Sequence, residues 1–211
     1  MFDEDKVARW GLLAGVAFVV LAAVSAFIAG SPPKLDDADT KIVAYFTDHQ
    51  DALRIGSYLG GLANVAFLWF LGSLFGRIRR AEGGAGRMAG VALTGAVAAI
   101  AVTFIANGIG AYVALHPESS PFGYRLSSVL FGYTGFAIAV FTAGVSVVLW
   151  NHGLLPKWFG YLGEAIAVAW FVAAAVVTTE NETIFTIGFI VFIVWAVWVA
   201  ALSIQLYRTP E

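Results

Sequence analysis

Glu164 falls inside a long apolar stretch. An ionisable group within hydrocarbon is costly, which makes it a functional candidate by default. It stands seven residues past Lys157, roughly 10 Å along a helix at 1.5 Å per residue. That depth lies just inside one membrane interface. There the carboxylate either snorkels to the surface or is buried for proton or cation coupling. Asn64 and Asn107 place amides in two other apolar stretches, and Thr103 adds a hydroxyl one turn from Asn107. Such groups ordinarily bridge helices, each contact contributing about 1 kcal/mol. Together with Glu164 they are also the candidates for a polar pathway. Thr94, Thr134, Thr142 and Ser146 are weaker polar points.

Other chemistry finds little support. His49, His116 and His152 stand in connections, and none has a His partner at helical spacing within a span, as a membrane haem needs. There is no cysteine, hence no disulfide or thiolate metal site. Asp36, Asp37, Asp39, Asp48 and Asp51 make one connection acidic, which reads as solvated charge rather than a cation site. No lysine lies mid-span to form a Schiff base. The glycines at 83, 84 and 86 follow no strand and precede no Gly-Lys-Ser/Thr, so they form a turn and not a phosphate loop. No catalytic residue, metal or cofactor is expected, and an enzyme is the weakest reading.

The elements that hold these residues follow from composition. Of 211 residues 60% are hydrophobic and 12% charged, against about 25% charged in ordinary soluble domains. Mean hydropathy is +0.82. A soluble globule cannot hide that much apolar surface. The net charge of -2 and the lack of a basic tail argue against a nucleic-acid partner. Uncharged runs of 24, 22, 30, 31 and 25 residues begin after Arg9, Arg54, Arg87, Arg125 and Glu182. A sixth apolar run, after Lys157, is interrupted by Glu164. A spanning helix needs about 20 such residues, and the runs lack the alternation of a barrel. The sequence therefore predicts an all-α bundle of six spans in a single domain over residues 1–211. The expected spans are 10–30, 55–76, 88–115, 126–150, 159–179 and 184–207. The first is too long for a cleaved signal, and five spans follow it.

Basic residues set the orientation. With the N-terminus inside, Lys6, Arg9, Arg77, Arg79, Arg80, Arg87, Lys157 and Arg208 lie inside, against Lys34, Lys41, Arg54 and Arg125 outside. This bias puts both termini in the cytoplasm, with the chain in a bacterial cytoplasmic membrane. Arg77, Arg79 and Arg80 are placed to meet anionic lipid headgroups. In the first outer connection Ile42, Val43, Phe46 and Leu53 oppose Lys41, Asp48 and Asp51, the pattern of a short amphipathic helix on the outer surface. Gly56 and Gly60 form a GxxxG pair. Gly90, Thr94, Ala98 and Ala101 make a small-residue stripe in the third span. Both stripes suit close helix packing inside the bundle, in preference to contacts between copies.

Four segments carry a further likeness: Tyr45-Phe46-Thr47-Asp48-His49 before the second span, Leu74-Phe75-Gly76-Arg77-Ile78-Arg79-Arg80-Ala81-Glu82 at its end, Gly132-Tyr133-Thr134-Gly135-Phe136 in the fourth, and Leu155-Pro156-Lys157-Trp158-Phe159-Gly160-Tyr161-Leu162-Gly163 entering the fifth. In these the chain resembles a broad group of six-span bacterial membrane proteins known as a domain of unknown function. The likeness covers most of the chain but consists of interface and turn chemistry. It implies the six-span fold and no activity. It also implies an apolar residue in that group where this chain has Glu164.

Two functions are expected from these observations. The first is a channel or transporter for an ion or small solute, built as a homo-oligomer. The alternative is a lipid-binding or envelope-associated subunit without transport, with membrane lipids and another membrane protein as partners.

Overall fold

A computed structural model describes residues 4–178 and 182–209. Among these residues the chain is helical, without strands. In order come α1 (Glu4–Leu12), α2 (Ala14–Phe27), α3 (Asp39–Asp48), α4 (Gln50–Glu82), α5 (Arg87–Leu115), α6 (Ser120–His152), α7 (Lys157–Ala173) and α8 (Glu182–Arg208). A 3-10 turn, Pro117–Ser119, leads into α6, and another, Ala174–Thr178, continues α7.

Among the described residues five helices are long and apolar enough to cross a membrane: Lys6–Phe27, Gln50–Glu82, Arg87–Leu115, Pro117–His152 and Thr186–Arg208. The run expected to cross at 159–179 forms the 17-residue α7 and its 3-10 continuation. Thr179 itself lies outside the described residues.

Local chemistry explains the breaks. α1 and α2 form one rod, interrupted at Leu13, where the Val16 N–H turns to the Leu13 carbonyl. The Leu12 carbonyl released by this shift accepts the Ser203 hydroxyl of α8, as a buried acceptor requires. Gly83, with φ of +66°, ends α4 in a conformation open to glycine. Glu82 then accepts the N–H groups of Met88 and Ala89, both at 2.9 Å. These are otherwise unpaired donors of the first turn of α5.

α6 is the central helix, packed between α5 and α7. It meets α5 almost backbone to backbone. A Cβ on Gly95 would stand 2.6 Å from the Phe141 nitrogen, and one on Gly144 2.8 Å from that of Ala92. The middle of the bundle is filled with rings. Phe67 lies 4.7 Å from Phe18, 5.6 Å from Phe141 and 5.9 Å from Trp195, centroid to centroid.

The GxxxG pair packs inward as expected: Gly56 and Gly60 are buried against Ser25 and Asn107. The stripe on α5 does not. Thr94, Ala98 and Ala101 are exposed, and a Cβ on Gly90 would meet nothing within 4 Å. The packing line is Ala92, Gly95, Ala96 and Ala99. Small residues occur all round α5, so spacing alone does not select the buried line.

α3 packs Ile42 and Phe46 against Val113 of α5, while Lys41 and Asp48 stay exposed. The connection before it is clasped to α6. The Tyr124 hydroxyl donates to the Pro33 carbonyl at 2.7 Å. The Arg125 guanidinium donates to the carbonyls of Leu35 and Asp37 and to the Asp39 carboxylate, at 2.9, 3.1 and 2.8 Å.

Candidate functional site

Three of the four pathway candidates share one seam. A Cβ on Gly60 of α4 would stand 3.1 Å from Asn107 Nδ2 and 3.2 Å from Ser25 Oγ, and one on Gly110 3.9 Å from Ser57 Oγ. Continuing this antiparallel register brings Asn64 level with Thr103. The Ser25 hydroxyl donates to the Gly56 carbonyl at 2.8 Å, and the Thr103 hydroxyl to Ala99 of its own helix at 2.8 Å. Asn64 is 5% exposed, and its Nδ2 is buried without a hydrogen-bond partner. An orphaned buried donor is rare enough to mark the spot.

Glu164 stands apart from that seam. It is half-buried on α7, which packs on α6 and α8. Gly160 and Gly163 let α7 approach Trp150 and Ser146 of α6 closely. Glu164 Oε1, Trp150 Nε1 and Ser146 Oγ are all buried without hydrogen-bond partners. The Trp150 indole lies beside the Glu164 carboxylate without reaching bonding geometry. Since α6 stands between α5 and α7, a single route near the second, third and fifth spans is not assembled from these four residues.

The arginines divide as well. Arg77 is 6% exposed, and its guanidinium donates to the Thr209 carbonyl just past α8. Arg79 and Arg80 are exposed, with Arg79 5.9 Å over the Phe75 ring. At the same end Arg9 donates to the Tyr207 carbonyl at 3.1 Å and lies 4.8 Å over its ring. The start of α1 and the ends of α4 and α8 thus meet at one end of the bundle.

A feature absent from the sequence reading is an open groove of about 600 Å³ between the α1–α2 rod and α4. The rod contributes Lys6, Trp10, Ala14 and Leu21, and α4 contributes Leu62, Ala66 and Trp69. Trp10 and Trp69 are each 62% exposed and form its walls, and small Ala14 and Ala66 leave its floor open. Lys6 contributes the charged end. The signal for it was the pairing of large and small residues on facing helices, which needs the helix pairing to be known first. A second hollow, of about 470 Å³, lies at the opposite end beside Asp39, Glu118, Phe122 and Arg125.

No family model, no curated protein and no solved structure matches the chain. The likeness to the six-span group therefore rests on the four segments and the layout alone.

Proposed function

We propose that this chain crosses a bacterial cytoplasmic membrane six times and binds lipid, rather than passing solute through its bundle. The groove between the α1–α2 rod and α4 carries this reading. Its apolar floor and tryptophan walls suit an acyl chain, with a polar group left at the Lys6 end. The middle of the bundle is meanwhile occupied by Phe18, Phe67, Phe141 and Trp195. A sixth crossing is supported by length. The 17 residues of α7 give roughly 26 Å at 1.5 Å each, and its 3-10 continuation adds about 10 Å. That matches a hydrocarbon core of about 30 Å. The excess of basic residues at the end holding α1 and the tail of α8 supports cytoplasmic termini. On this reading α3 lies as an amphipathic helix on the outer surface.

Native mass spectrometry of the full chain released from mild detergent tests the binding. One retained phospholipid per chain is expected, and Ala66→Phe or Ala14→Leu, which fill the groove, should remove it. Folded protein that carries no lipid, or variants that retain it equally, would reject the reading.

Asn64 favours a second reading. Its orphaned amide at the Thr103–Asn107 seam suits transport of an ion or small solute by a homo-oligomer. Asn64→Leu and Asn107→Leu should then abolish flux in proteoliposomes. Flux unchanged in both would discard the seam.

A further inference from the structure

The groove has a charged end and an apolar end, and both bear on the chemistry of its occupant. Lys6 lines its rim. Gly11 packs against Ser73 and Trp69, so α1 and α4 pass each other in antiparallel register. Carried five residues along, that register brings Lys6 level with the stretch of α4 that ends in Arg80. Arg80 also lies on the groove's own line along α4, three turns beyond Trp69, and its guanidinium reaches back over Gly76. Both cations are exposed. From Lys6 to Leu21 the groove follows fifteen residues of the rod, roughly 22 Å at 1.5 Å per residue. One leaflet of hydrocarbon is about half of a 30 Å core, so the trough accommodates the full depth of an acyl chain.

We infer that the occupant is an anionic phospholipid of the leaflet on the side of the chain termini. Its phosphate lies between Lys6 and Arg80, and one acyl chain runs past Trp10 and Trp69 towards Leu21 and Leu62. This rests on the lipid-binding reading and adds the headgroup and the leaflet to it. A cation beside an anionic lipid strengthens binding by up to about fivefold, and the interactions that Lys6 and Arg80 already make within the chain lower that figure.

Quenching of tryptophan fluorescence by lipids with brominated acyl chains tests this, because two tryptophans wall the groove. The full-length protein is reconstituted with brominated phosphatidylglycerol or brominated phosphatidylcholine in an unbrominated background. Phosphatidylglycerol should quench at about fivefold lower mole fraction, and Trp10→Phe with Trp69→Phe should remove that component. Lys6→Gln with Arg80→Gln should bring the two lipids together. Equal quenching by both lipids in the native chain, with Ala66→Phe still lowering it, would overturn the headgroup assignment alone. Equal quenching that Ala66→Phe leaves unchanged would overturn the groove as a binding site as well, leaving only surrounding bilayer lipid.

Discussion

Arg77 and Arg79 are two residues apart and differ entirely in surroundings. Arg77 follows Phe70 and Leu74 on the buried line of α4 and ties the end of α8 through the Thr209 carbonyl. Arg77→Gln should cost about 2 kcal/mol, as expected for a buried bond to a charged group. Arg79→Gln should change stability by less than about 0.5 kcal/mol, as for a surface site. Thermal unfolding in detergent compares them, and equal losses would contradict the tether. The basic cluster was plain in the sequence, but its split was not, because the charge rule counts arginines without regard to helix face. The helical spacing of Phe70, Leu74 and Arg77 was the available signal. Asp37 offers a pH test. The Lys41 ammonium, bonded at 2.8 Å, and the Lys34 N–H, also at 2.8 Å, hold its carboxyl below the usual range. Its contribution is complete above an ordinary carboxylate pKa of about 3.9 and is lost as pH falls through the lower folded value. Protection of the Lys34 amide from exchange, taken relative to its intrinsic rate at each pH, should therefore fall in acid. Asp37→Asn should lack that step, and a step that persists would place its origin elsewhere.

At the scale of elements, the apolar runs that form the five long helices were readable, because length and charge punctuation are properties of single segments. Which face of each helix is buried was less so. On α5 the chosen stripe faces outward, and the packing line lies one residue round the helix. Gly95→Leu would drive a side chain into the backbone of α6, costing about 3 kcal/mol or more, while Gly90→Leu should be tolerated. Expression yield and melting temperature distinguish them, and matching losses would contradict the α5–α6 contact. Separating Glu164 from the Asn64 seam likewise required knowing that α6 stands between α5 and α7. No spacing within one helix contains that fact.

For the whole molecule, the chain has no cysteine of its own, so single cysteines report sidedness cleanly. With six crossings, probes at Ala85 and Asn151 should react from the side of the termini. Probes at Asp36, Glu118 and position 181 should react from the other. Positions 151 and 181 labelled from one side would rule out a crossing by α7. What fills the groove is read directly by a photoreactive side chain placed in it. With benzoylphenylalanine at Leu62 in the groove, or at Val97 on the exposed face of α5, protein illuminated after detergent extraction is weighed intact. A single-phospholipid adduct is expected at Leu62 in several-fold excess over Val97. Equal yields at the two positions would contradict it.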